Sequence, residues 1–367
     1  MNRIAWIDNL RVMVIILVVF LHSGVTYSGI GGWYYTEETV LDKGSLLFFA
    51  FFQTFTQAYF MSLLFMISGY FSKLSLERRG TMVFSKGRLK RLGIPLLIYM
   101  LLLHPLAVRI AYPDMDFWAW FINAVKRFDF FSWTGPLWFV EALLLFTFAY
   151  LLVLRFAKNI RLKLKLKPLN VAKLIVIITV VAFLLRLVFP IGTNVLNLQF
   201  SFFSAYILLF VIGLLAPASR LFEQVSLRLG KQYLVISFAV GIPLWIFTIV
   251  YSGAVDGDTR IMGGWNWPAA AYALWESFFC VTFIIALLGI FRAKLNISGR
   301  FQKFLSDNAF GLFVFHAPVL IATSMLLRDL EIYPVLKFFM VAVIAVAASF
   351  TVAWLVRRLP ILRRIFT

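Results

Sequence analysis

The chain has 367 residues, of which 62% are hydrophobic and only 14% charged. A soluble domain is about 45–50% apolar and about 25% charged, so this composition excludes one. The formal charge of +19 would suit a nucleic-acid binder, but the basic residues fall between hydrophobic runs. That is a membrane-topology signal, and no nucleic-acid partner is expected.

A membrane-spanning helix needs about 20 mostly apolar residues. Ten stretches qualify, at 5–25, 46–72, 92–111, 135–155, 171–190, 200–217, 231–251, 268–291, 309–328 and 334–356. The expected fold is an all-α polytopic membrane protein with about ten transmembrane helices. It is read as a single transmembrane domain over residues 1–367, with no cleavable signal and no appended soluble domain.

Lys and Arg set the orientation. Residues 73–91 and 155–173 hold seven each, the second group including the alternating "RLKLKLK". Twenty-six of the 35 lie on that side, six on the other, and Arg11, Arg186 and Lys337 fall inside spans. The positive-inside rule then puts both termini in the cytoplasm. The opposite loops carry "GGWYY", "FWAWF" and "GGWNW", as expected of interfacial aromatic anchors. A bacterial-type inner (plasma) membrane is the expected location. "KLKLK" reads as a basic surface segment on the anionic inner leaflet, with membrane lipid as its partner.

The first span begins "DNLRVMVIILVVFLH". Ionisable groups within a membrane helix are costly and mark functional sites. Eleven residues turn 20° past three full turns, so Arg11 and His22 share one face, about 16 Å apart. Asp8 is three residues before Arg11, close enough to pair with it. Alternatively Asp8 and Arg11 anchor the helix at the inner headgroups.

The chain has three histidines. His104 and His316 lie within spans 3 and 9, each with a proline within two residues that frees a nearby backbone carbonyl. They are either helix–helix hydrogen bonds or, as imidazoles titrating near neutral pH, candidate general bases. Glu141, six residues into span 4, needs a partner such as Arg109 or a polar cavity. Trp138 is a sugar-stacking candidate or an interfacial anchor. Ser68 is read as a small-residue helix contact. The single cysteine, Cys280, excludes an intramolecular disulfide and reads as a small hydrophobe. No metal ligand set is expected.

These residues carry a resemblance. "DNLRVMVIILVVFLH" resembles the arginine-x10-histidine first helix of acyltransferase family 3, integral-membrane enzymes that acylate surface and periplasmic sugars. "FMISGYFS" (65–72), "RLKRLGIPLL" (88–97), "PLWFVEALLLF" (136–146) and "NAFGLFVFHAPVL" resemble further elements of that family, in order. The combination of "FMISGYFS" with "RLGIPLL" looks closest to the glucan succinyltransferase branch. The resemblance implies an acyl-CoA donor on the cytoplasmic side and a glycan or lipid-linked sugar acceptor. No bound cofactor is implied. Its essential first-helix histidine corresponds to His22, with Arg11 as helix partner, and the Arg-x-x-Arg pair to Arg88 and Arg91.

The residues themselves fit that chemistry. Acyl transfer from a thioester to a hydroxyl needs a base or acyl carrier and charge stabilisation. The candidates are His22, Arg11, Asp8 and His316. Arginine binds phosphate in bidentate fashion, which makes Arg88 and Arg91 candidates for the donor; the alternative is that they are positive-inside residues before span 3. Glu141 and Trp138 are placed on the acceptor side or in a structural role. The function expected is transfer of an acetyl or succinyl group to a hydroxyl of a cell-envelope or periplasmic glycan. The alternatives are a transporter or flippase for an envelope precursor, with the same residues along its path, and a non-catalytic partner of an assembly complex.

Overall fold

The computed structural model describes residues 4–37, 40–156 and 163–363. Arg3 and the basic stretches 157–162 and 364–367 lie outside the described residues. Among the described residues, ten helices are long and apolar enough to cross a membrane. They are α1 (Ala5–Ser28), α2 (Lys43–Arg79), α3 (Thr81–Ala111), α5 (Gly135–Phe156), α6 (Pro168–Val188), α7 (Phe200–Ser219), α8 (Leu227–Tyr251), α9 (Trp267–Lys294), α10 (Arg300–Leu326) and α11 (Pro334–Arg358). The short helix α4 (Phe117–Lys126) joins α3 to α5. The protein is an all-α, multi-pass membrane protein.

All ten expected spans are present, but three run past their apolar cores. α2 continues to Arg79, stabilised by a Lys73–Glu77 pair at 3.1 Å one turn apart. α3 begins at Thr81, so Arg88 and Arg91 lie on the helix itself rather than in a loop before it. α10 starts at Arg300. Hydropathy marks the lipid-crossing core of a helix and is blind to polar turns that extend it.

The chain forms two compact units. Unit 1 comprises Met1–Arg11, Gln57–Phe84 and Leu145–Ile297. Here α2 and α7 meet through small residues. A side chain on Gly69 would collide with the Phe210 carbonyl, and one on Gly213 with the Met66 carbonyl. Without a hydrophobic driving force between helices in lipid, such close backbone approach supplies the packing. The α8–α9 pair adds hydrogen bonds, from Ser237 Oγ to Thr282 Oγ1 at 2.9 Å and from Trp275 Nε1 to the Gly241 carbonyl at 2.9 Å. The extended segment 163–167 is pinned by Ser219 Oγ and Gln224 Oε1, which accept from Leu164 N and Leu166 N at 2.8 Å each.

Unit 2 comprises Val12–Thr56, Ser85–Leu144 and Ser298–Thr367. Phe20 of α1, Phe48, Phe49 and Phe52 of α2 and Phe338 of α11 form one aromatic cluster, with Phe338 5.3–5.9 Å from the others. α3 contains two π-helical turns, Leu89–Gly93 and Tyr99–Leu103, each followed closely by a proline. Proline lacks an N–H and crowds the preceding turn, and a π turn absorbs that by closing i→i+5 bonds. The second turn sets the His104 N–H on the Tyr99 carbonyl, and the side chains of both residues reach the Tyr34 hydroxyl.

Candidate active site

The site grows from the C-terminal half of α1 and the loop that follows it. His22 Nδ1 lies 3.0 Å from His316 Nε2 of α10. The two rings are 5.2 Å apart and nearly parallel. His316 is wholly buried, and its Nδ1 sits 2.7 Å from the Phe313 carbonyl. A carbonyl only accepts, so His316 Nδ1 carries the proton. In a neutral imidazole the other nitrogen is then an acceptor, and His316 Nε2 takes the proton of His22 Nδ1–H. The chain of bonds thus leaves the lone pair of the neutral pair on His22 Nε2. That is the arrangement a general base needs: a free basic nitrogen on a ring oriented from behind.

Trp33, from the loop after α1, stacks on His22 at 3.9 Å with 12° between planes. An indole face attracts a cation, so this stack favours the imidazolium formed when His22 takes a proton. Tyr34, the next residue, donates or accepts at His104 Nδ1 (2.7 Å) and at the Tyr99 hydroxyl (3.0 Å). Burial pushes the Tyr34 phenol well above its ordinary pKa, so it stays protonated. Gly135 closes this corner at φ +47°, and a side chain there would come within 2.5 Å of the Tyr34 hydroxyl. The loop is tied down by Glu37, whose carboxylate meets the buried Lys337 ammonium of α11 at 2.8 Å. The same ammonium donates to the Arg328 carbonyl at 2.9 Å.

The structure therefore joins two of the expected catalytic residues, His22 and His316. Asp8 and Arg11 form an ion pair of their own at 3.2 Å, in unit 1. Arg11 keeps its place three turns before His22 on α1. Arg88, half-buried, and Arg91, exposed, occupy successive turns of α3. Glu141 hydrogen-bonds Thr134, and its buried Oε2 has no partner among the described residues. Arg109, one of the alternatives for a Glu141 partner, turns instead to the carbonyls of Tyr112 and Pro113. Trp138 is half-buried in the first turn of α5. Among the described residues no group of three or more His, Cys, Asp or Glu is placed to hold a metal.

A family model described as an acyltransferase domain matches residues 4–358. The chain belongs to acyltransferase family 3. It is a membrane enzyme that transfers acyl groups. No curated protein and no solved structure matches it.

The sequence reading missed Trp33, Tyr34, Tyr99 and the Glu37–Lys337 pair. "GGWYY" read only as an interfacial anchor, although two aromatics directly after a histidine-bearing span were a usable signal. Lys337 stood out as a cation within a span, but its partner lies 300 residues away.

In unit 1 a second buried polar pair joins Arg186 of α6 to Glu276 of α9. The Arg186 guanidinium is wholly buried, flanked by the rings of Phe202 and Tyr272 at 5.5 and 5.6 Å. Cys280, one turn beyond Glu276, is buried as a small apolar residue.

Proposed function

We propose that this acyltransferase moves an acetyl or succinyl group from an acyl-CoA on the cytoplasmic side to a hydroxyl of a cell-envelope or periplasmic glycan. It does so in a bacterial-type inner membrane, with both termini cytoplasmic. The observation that carries the reading is the His22–His316 pair, with its lone pair on His22 Nε2. That nitrogen takes the proton of the acceptor hydroxyl as its oxygen attacks the thioester carbonyl. The carbon–sulfur bond breaks, and the proton passes to the departing thiolate. His316 orients His22 and shares the transient charge, while Trp33 stacks on the imidazolium.

Arg88 and Arg91 hold the donor phosphates, which suits their positions on neighbouring turns near the basic side of α3. Glu141, with one unpartnered carboxylate oxygen, faces the acceptor reaction or braces the start of α5 through Thr134. Asp8 and Arg11 set the cytoplasmic end of α1. The "FMISGYFS" and "RLGIPLL" stretches favour the glucan succinyltransferase branch.

The test is transfer itself. His22→Ala in reconstituted membranes should abolish acyl transfer from acyl-CoA to glycan while membrane insertion is unchanged. Full transfer by that variant would sink the assignment.

A further inference from the structure

Unit 2 also contains an open cavity of about 540 Å³, lined in part by Tyr34, His104, Tyr112, Trp120, Asp129 and Trp133. Small-molecule sites run to about 300–1,000 Å³, with aromatic walls and a few placed polar groups. This cavity has that make-up. Trp120, Trp133 and His104 form a graded stack. Trp133 lies 5.2 Å from Trp120 at 14° and 5.1 Å from His104 at 12°. Trp133 is buried in the middle, and Trp120 at the end of the stack is half-exposed. Tyr112 is 51% exposed. Arg127 engages Asp129 through Oδ2 alone, from Nε and Nη2 at 3.1 and 2.9 Å, so Oδ1 takes no part in that pair.

One lining residue links this cavity to the active site. Tyr34 lines it, and Trp33, the preceding residue, stacks on His22. The same Tyr34 hydroxyl is fixed by Tyr99 and His104, across the π turn of α3. His104 has no part in the proposed proton transfer, yet its ring is held by two aromatic neighbours and a hydrogen bond at the cavity edge.

We infer that this cavity is the acceptor subsite and that it selects a neutral sugar unit. An aromatic face takes the apolar C–H face of a pyranose ring, and amphipathic rings are suited to a ligand that is apolar on one face and wet at its rim. Asp129 accepts from sugar hydroxyls and Ser132 donates or accepts. The one formally charged lining residue, Asp129, is neutralised by Arg127, so the lining offers an anionic acceptor no free cation to pair with. Trp120 and Tyr112 form the platform, while His104 and Tyr34 turn the bound sugar's hydroxyl toward His22. This inference rests on the glycan-acyltransferase reading and adds where the acceptor sits and what charge it carries.

The experiment uses the full chain in lipid nanodiscs, with cellotetraose and maltotetraose as neutral probes and tetragalacturonate as an anionic one. Tryptophan fluorescence reports binding, and acetyl transfer from acetyl-CoA is measured in the same samples. A neutral probe should bind, and Trp120→Ala and the milder Tyr112→Ala should each weaken binding about tenfold. Asp129→Asn should admit tetragalacturonate. His22→Ala should bind the neutral probe as the wild type does while losing transfer. Failure of both neutral probes to bind, or binding that ignores all three cavity substitutions, overturns the subsite. Wild-type binding with the expected cavity effects but no transfer would leave the subsite standing and overturn the glycan-acyltransferase reading instead.

Discussion

The His22–His316 pair of unit 2 and the Arg186–Glu276 pair of unit 1 both place ionisable groups deep among apolar helices, and they use them differently. The histidine pair is a directed chain. One carbonyl fixes one proton, that fixes the next, and a basic nitrogen is left over. The arginine–glutamate pair joins α6 to α9 through one contact, with aromatic rings on the guanidinium, while Arg186 Nε and Nη1 and Glu276 Oε1 make no hydrogen bond among the described residues. An intramembrane charge marks a functional site by default. Here the distinction lies in charge and in what the leftover atoms offer, since only the histidine pair presents a basic lone pair on an uncharged ring. A neutral pair with a spare lone pair is equipped for chemistry, whereas opposite charges that neutralise each other hold helices together.

That contrast can be broken by substitution. Arg186→Met alone leaves the Glu276 carboxylate buried without its partner, and removing one member of a buried pair costs about 3–5 kcal/mol. Thermal unfolding in detergent should show the loss, and the double variant Arg186→Met/Glu276→Leu should recover most of it. Unchanged stability in the single variant would remove the pair's structural role. His316→Ala should leave stability nearer wild type but lower the transfer rate roughly 10–10²-fold, the scale seen when an orienting partner is removed. A rate equal to wild type would show that His22 needs no orientation.

Two smaller effects sharpen the picture. Arg88→Gln or Arg91→Gln should each raise the apparent KM for acyl-CoA about tenfold with little change in kcat, since a charge-assisted hydrogen bond is worth about 1.5–3 kcal/mol. An unchanged donor KM would contradict the phosphate role. Replacing the loop clasp as Glu37→Gln with Lys337→Met should lower kcat roughly threefold, within the range of one net hydrogen bond. A neutral effect would show that Trp33 holds its stack on His22 without the clasp.

Much of the fold was legible because hydropathy is local. Ten spans of about 20 apolar residues need no knowledge of their neighbours, and all ten appear. The site was legible only as a set of residue types. His22 and His316 stood out as costly side chains in apolar runs, but 294 residues separate them, and no helical period relates residues on different helices. Sharing a face drew attention to Arg11 as the companion of His22, yet a shared face over eleven residues still leaves about 16 Å between them. The side-chain hydrogen bond His22 does make comes from another span. The link between Tyr99 and His104 through Tyr34 escaped for a related reason. At the α-helical period the two residues point apart, and across the π turn before Pro105 both reach Tyr34.

The central claim is that the histidine pair performs the chemistry and the arginine–glutamate pair does not. It is tested most directly by acyl transfer from acyl-CoA to glycan, per folded molecule, in liposomes holding wild type, His22→Ala or Arg186→Met/Glu276→Leu. The account predicts that His22→Ala loses roughly 10²–10⁴-fold, the contribution of a positioned base, while the double variant stays within a few-fold of wild type. Wild-type transfer by His22→Ala would contradict it.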